Sequence, residues 1–400
     1  MVLGELARSP RARLHAAALM QAGATVETIA FDAPARPLAS LSPFDSAALP
    51  RALRAPWISL RGLGLTAVTA HALLAPPRPD VLLVQTPPAL PVLPLCALAA
   101  RHHRARLVVD WHNLGWTLLG LRLGSASPLL GVARHLELSS SRHAHGHLCV
   151  SAAMQGALAA HGIHAEVFHD APPRGFSPLS AEAISTLAGR LPGFLGGELL
   201  TERRGGVTRL RDDRPCLVVT GSSFTADERV EWLVEAARRI EPAVRGGRLP
   251  RLVIAATGRG PGRGRLEALA SALDPSLVRL FTGFLPAEDY AGLLGAADLG
   301  VSLHASSSGL DLPMKVADML GAGLPILALD YGPVVREQLA LGEEALGFRD
   351  PAGLADRLVE VLEGFPRAPR LLALRAAVRG RERTRWEDLW TTRAAPVILG

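Results

Sequence analysis

One side chain in this sequence has no duplicate: Lys315 is the single lysine among 43 lysine and arginine residues. Lysine is a compact point charge on a flexible stem and arginine a planar fork, so the two are not exchangeable where one phosphate oxygen must be reached. Lys315 stands in Ser306-Ser307-Ser308-Gly309-Leu310-Asp311-Leu312-Pro313-Met314-Lys315-Val316-Ala317-Asp318-Met319, and Gly321-Ala322-Gly323-Leu324-Pro325 follows. The pattern reads as a loop, a helix opened by Pro313, and a turn into a strand. It sets one cation among two carboxylates, Asp311 and Asp318. A lysine left by chance in an arginine-rich chain is the plain alternative, and the motif around it weighs against that.

Composition bounds what such a motif can serve. Four hundred residues suit two domains rather than one core, and 48% hydrophobic residues can fill both. The formal charge of +6 favours anionic partners such as nucleotide diphosphates or lipid phosphates, although a genome rich in arginine codons produces the same balance. Aromatic residues, at 4%, are too scarce for base stacking, and no nucleic-acid module is legible. Cys96, Cys149 and Cys216 lie in apolar runs without metal spacing and read as core thiols of a reducing compartment. His143, His145 and His147 alternate, but no carboxylate stands at ligand spacing, so they read as surface residues before a core strand. The apolar stretches Leu60 to Pro76 and Ala89 to Ala100 are short or interrupted, and no membrane-spanning helix or signal peptide is expected. Met1-Val2-Leu3-Gly4 reads as the end of a strand, which leaves room for a start further upstream.

Short apolar runs alternate with helical patterns, the mark of parallel βαβ units. The first series of strands is Val2-Leu3, Thr25 to Phe31, Asp80 to Gln85, Arg106 to Trp111, His147 to Ser151 and Ala165 to His169. The second is Cys216 to Thr220, Leu252 to Thr257, Val278 to Thr282, Leu299 to His304, Ile326 to Asp330 and Leu346 to Arg349. Domains are therefore expected at 1–175 and 214–375, with 176–213 as a Pro-, Gly- and Arg-rich linker and 376–400 as a helical segment that crosses back to the first domain. Two doubly wound Rossmann-like domains in tandem would place the carboxyl ends of both sheets across a cleft.

The lysine motif, read from Leu303 to Met319, resembles the chitobiosyldiphosphodolichol beta-mannosyltransferase family, glycosyltransferase family 33. Further segments agree in order: Gly4 to Pro10, Gln85-Thr86-Pro87-Pro88, Asp110-Trp111-His112-Asn113-Leu114-Gly115, Asp170-Ala171-Pro172-Pro173 with Phe176, and Thr220 to Thr225 with Asp227-Glu228. The chain departs from the family pattern at Glu5, where the family has aspartate, and at Ala7, where it has glycine. The resemblance implies an α/β chain of GT-B fold, with two Rossmann-like domains facing a central cleft, that transfers mannose from GDP-mannose to lipid-diphosphate chitobiose with inversion. It implies as partners GDP-mannose, a lipid-diphosphate-linked sugar, a peripherally contacted membrane at its cytosolic face, and other glycosyltransferases in a complex.

The residues fit that chemistry physically. The backbone N–H groups of Ser307, Ser308 and Gly309 and the helix N-terminus suit a diphosphate, with Lys315 adding a mobile charge from a solvated head group. Asp311 belongs to the same donor-binding loop, and Asp318 holds the acidic position that in the wider GT-B class accepts from ribose hydroxyls. Arg259, at a glycine turn where the family has lysine, suits a phosphate or guanine contact, or merely a tight turn. Ser222 and Ser223 suit the β-phosphate, or merely cap the following helix. No Asp-x-Asp signature stands in a suitable place, so no metal and no cofactor are expected, and Lys315 with the helix dipole is expected to replace the ion. Inverting transfer also needs a base, for which Glu5, Asp110 and His112 are candidates at the first domain's strand ends. His112 titrates nearest neutrality but can equally tie down the Trp-His-Asn corner. Trp57 to Leu65 and Leu90 to Arg104 are candidate membrane-facing segments, or core helices with arginine ends. Another nucleotide sugar or acceptor, or a catalytically silent partner subunit, are the rival readings.

Overall fold

The computed structural model describes residues 9–30, 64–195 and 200–400, together with the short strand at 36–37. Glu5, the strand expected at Val2-Leu3 and residues 57–63 of one candidate membrane segment lie outside the described residues. The chain divides into two compact units. The first comprises Met1–His169 and Glu387–Gly400, the second Asp170–Trp386.

In the first unit Ile29–Ala30 (β1) pairs in parallel with Arg36–Pro37 (β2). The main sheet is four-stranded and parallel, in the order Val81–Thr86 (β3), Arg106–Trp111 (β4), Gly146–Cys149 (β5) and Glu166–Val167 (β6). Every residue of β4 from Leu107 to Trp111 is buried, as expected of a strand covered on both faces. Residues Glu387–Gly400 complete this unit: Trp390, Ala394 and Ile398 are buried, and Trp390 Nε1 donates to His15 Nδ1 at 3.0 Å.

The second unit opens with a segment that was expected to be a linker. Residues 176–213 instead carry the helix Ala181–Arg190 and an antiparallel hairpin, Thr201–Arg204 (β7) with Val207–Leu210 (β8). Gly205 and Gly206 make its two-residue turn at φ +55° and +81°, the conformation that favours glycine in such hairpins. The main sheet is six-stranded and wholly parallel: Cys216–Gly221 (β9), Leu252–Thr257 (β10), Val278–Gly283 (β11), Leu299–Ser302 (β12), Ile326–Leu329 (β13) and Ala345–Phe348 (β14), in the order β11-β10-β9-β12-β13-β14. Chain order reverses between β9 and β12. Loops at the carboxyl ends of the two central strands therefore flank a crevice, the place where doubly wound sheets take ligands. No described helix is long and apolar enough to cross a membrane.

Candidate functional site

At the reversal in the second unit, β9 ends on Gly221 and the chain turns through Ser222, Ser223 and Phe224. Phe224 adopts φ +50°, so successive amides converge on one point as in an anion-binding nest. That point is filled by the Glu228 carboxylate. Its Oε2 accepts from Ser222 Oγ at 2.5 Å, from the Ser223 amide at 2.6 Å and from the Phe224 amide at 3.0 Å, while Oε1 accepts from Lys315 Nζ. Burial alone would raise this acid, but Lys315 and the Ser222 hydroxyl outweigh it and hold Glu228 below the usual carboxylate range. Lys315 is thus not a freely solvated head group, as its sequence suggested. It is 19% exposed and anchored on one side to an acid that is 4% exposed.

The expected roles of Ser222 and Ser223 as phosphate donors need the same correction. The Ser222 hydroxyl and the Ser223 amide both hold Glu228, which makes them part of the support for Lys315. Two glycines let this loop be approached: a Cβ on Gly258 or Gly260 would lie 1.7 Å from the carbonyl oxygens of Ser222 and Ser223 respectively. Between them Arg259 is exposed, its guanidinium 4.1 Å above the Phe284 ring.

The loop after β12 supplies the other wall. A backbone bridge joins Glu228 to His304, and the Ala305 amide donates to Asp227 O at 2.7 Å. His304 Nε2 lies 2.8 Å from Asp311 Oδ2; the other carboxylate oxygen of Asp311 accepts from the hydroxyls of Ser306 and Ser308. Asp311 is 2% exposed, so its carboxylate shapes the loop from within. The turn it organises presents Ser307, Ser308 and Gly309 ahead of the helix Met314–Gly321, with Gly309 at φ +72°. Asp318, one turn after Lys315 on that helix, is pushed up to about 7 by burial and by Asp170, against the pull of Lys315. Among the described residues no cluster of three or more His, Cys, Asp or Glu is placed to hold a metal ion.

In the first unit the structure overturns one candidate base. Asp110 is fully buried, with Arg11 Nε at 2.7 Å from Oδ2, Arg11 Nη2 at 2.8 Å from Oδ1 and His15 Nε2 at 3.3 Å. Burial pushes it up, yet the guanidinium beside it wins and holds the carboxyl well below its ordinary value. An anion so clamped is a weak proton acceptor; Asp110 is a strut. His15 accepts the Trp390 N–H at Nδ1, so the tautomer that satisfies both contacts carries its proton on Nε2 toward Asp110. His112 is half-buried immediately after β4, its amide donating to Thr86 O at 3.0 Å. His147, expected at the surface, is buried and accepts from Trp111 Nε1 at 3.2 Å; burial pushes it down to about 4.

Glu228, His304, Arg11 and Asp170 carried no assigned role in the sequence. Glu228 and Lys315 are 87 positions apart, and only the reversal of strand order brings them together.

Comparison with known proteins bears on the family and the fold. Residues 9–169 match the glycosyl transferase 4-like domain model and residues 214–364 the model for glycosyl transferases group 1. The chain is 34% identical over 426 residues to the chitobiosyldiphosphodolichol beta-mannosyltransferase of Mus musculus, covering 100% of this chain and 88% of the relative. The Homo sapiens protein of the same name is 32% identical over 433 residues, covering 100% and 92%. A protein of Arabidopsis thaliana named UDP-glycosyltransferase TURAN is 35% identical over 447 residues, covering 100% and 96%. Among solved structures, HepE of Anabaena in complex with UDP and glucose superposes with a TM-score of 0.60 at 16% identity, covering 98% of this chain and 89% of that one. The fold shared with such structures is GT-B, with two Rossmann-like domains.

Proposed function

This chain belongs to the chitobiosyldiphosphodolichol beta-mannosyltransferase family, a family of glycosyltransferases, and we propose that it is an inverting β-1,4-mannosyltransferase. In this reading it takes mannose from GDP-mannose and passes it to a chitobiose carried on a lipid diphosphate, at the cytosolic face of a membrane. The observation that carries the reading is the sole lysine, fixed by a buried carboxylate at the strand-order reversal of the second unit.

The residues divide the work as follows. Lys315, with Arg259 and the amides of Ser307, Ser308 and Gly309, neutralises the departing diphosphate, so no metal ion is needed. Glu228 sets the direction of the ammonium. Asp318 accepts from the ribose hydroxyls. On the acceptor side His112 takes the hydroxyl proton as the acceptor oxygen attacks the anomeric carbon and the bond to the diphosphate breaks.

Incubation with GDP-mannose and a phytanyl diphosphate-chitobiose, read by mass spectrometry, tests the transfer; one added hexose that resists α-mannosidase supports it, and no GDP release with any acceptor favours a silent subunit. A second reading, transfer from a UDP-sugar, is favoured by the name of the Arabidopsis relative. Calorimetric titration with GDP, UDP and ADP separates the two, and tighter binding of UDP would replace the first reading by the second.

A further inference from the structure

The helix Gly115–Leu123 starts three residues after His112, and residues 124–128 join it to the helix Leu129–Ser141. Its sequence GWTLLGLRL holds Trp116, four leucines and one charge, yet none of its nine residues is buried. Leu121 and Leu123 are 50% and 45% exposed. On the second helix Leu129, Val132 and Leu136 are 57%, 57% and 41% exposed, and their spacing puts them on one face; Ala133, Glu137, Leu138 and Ser141 fill the face turned inward. A helix both apolar and unburied is not accounted for by the core of its own unit, and large apolar side chains exposed in number on one helical hairpin mark an interaction site.

The charge pattern identifies the occupant. From Trp111 to Leu136 the sequence contains no aspartate or glutamate, while Arg122 and Arg134 are both exposed. The next acid, Glu137, is withdrawn from the surface: its oxygens accept from the Gly115 and Trp116 amides at 2.9 and 3.2 Å and so fix the first turn of the apolar helix. Arg134 lies 5.8 Å from the Trp116 ring. Leucine and valine flanked by arginine and an indole, with no acid, suit a fluid apolar phase beneath anionic headgroups.

We propose that the hairpin 115–141 seats this protein in the surface layer of a lipid bilayer that carries anionic headgroups. The proposal rests on the mannosyltransferase reading for its purpose: it would hold the His112 corner, three residues before the hairpin, at the depth where a lipid-linked diphosphate emerges.

Flotation of the full chain with phosphatidylcholine vesicles, alone or with roughly a third phosphatidylglycerol, tests it. The wild type is expected to float with the mixed vesicles. Leu121→Gln combined with Leu129→Gln and Val132→Gln should reduce partitioning at least about ten-fold at unchanged melting temperature, and Arg122→Gln about five-fold on anionic vesicles only. Equal flotation of the wild type and triple variant overturns the proposal. So does a wild type that does not float but sediments as a dimer that the triple variant dissolves, which would make the face a contact between copies. GDP release with a short-chain, water-soluble acceptor should be unaffected by these substitutions. Its absence from the wild type, with flotation intact, would count against the transferase reading and leave the membrane surface standing.

Discussion

Each unit of this molecule buries an acid against a cation distant in sequence, and the two pairs are built differently. In the first, Arg11 grips both oxygens of Asp110 and neither side chain has any exposure. In the second, Lys315 takes one oxygen of Glu228, the loop Ser222–Phe224 takes the other, and the Lys315 side chain stays 19% exposed. A fork closes on its partner, whereas a point charge with three N–H groups can be held by one and still offer others. The first pair is a clasp. The second leaves its cation partly exposed, which suits a point charge better than a fork.

Opening the clasp should damage the protein most. Arg11→Met should destabilise the first unit by about 3–5 kcal/mol, since Asp110 would remain buried without its counter-charge. Adding Asp110→Leu should recover much of that loss in a urea titration. Turnover of the double variant is the decisive reading, because a strut predicts that the restabilised protein works, whereas a catalytic Asp110 would leave it stable and inactive.

At the partly exposed cation, Lys315→Arg should lower turnover roughly ten-fold, equivalent to about 1.4 kcal/mol, because a guanidinium that grips Glu228 with both prongs turns away from the ligand. Lys315→Ala should lose more. It should also lower the melting temperature, because Glu228 is left buried and charged. An arginine variant with wild-type turnover would show that the two pairs are equivalent after all.

Glu228→Gln is expected to act more mildly. Its amide oxygen can still accept from the Ser222 loop, but Lys315 loses its anchor; initial-rate measurements should show turnover reduced several-fold with a smaller change in KM. A pure stability loss with unchanged kinetics would reduce Glu228 to packing.

The smallest effect concerns pH. Asp318 is raised from 3.8 to about 7, so the folded state binds a proton that the unfolded state releases, and its contribution to stability is lost as pH rises from about 4 to about 7. Asp318→Asn should therefore flatten the decline of the melting temperature across that window. A variant that declines as the wild type does would move the titration elsewhere, for instance to Glu137, which burial also raises to about 7.

How far the sequence could be read follows from the same physics. The strands β9, β10 and β12 and the helix of Lys315 were legible because continuous apolar runs and a proline at a helix start are local signals. The hairpin at 201–210 was also announced locally, by Gly205-Gly206, but its flanking strands are short and arginine-rich and read as a linker. Pairs were not legible at all. Asp110 and His112 alternate along an extended segment, which suggested a shared role, yet what disposes of Asp110 is a guanidinium 99 positions earlier. Glu228 was visible only as one letter of a motif, because its partner follows 87 positions later and nothing local distinguishes it from a helix-capping acid.

The return of residues Glu387–Gly400 to the first unit has a consequence for how the protein is made. The second unit is one continuous stretch, Asp170–Trp386, and can close as soon as it has left the ribosome. The first, though translated earlier, lacks Trp390, Ala394 and Ile398 until everything between has been synthesised. In that interval Gly146 waits for Val397, whose Cγ1 lies 2.8 Å from where a Cβ would stand, and His15 for the indole that fixes its tautomer. The usual order, amino-terminal domain first, is thus inverted at its final step. A chain ended after Trp386 and released from the ribosome should carry a protease-resistant second unit and a first unit that remains open to cleavage.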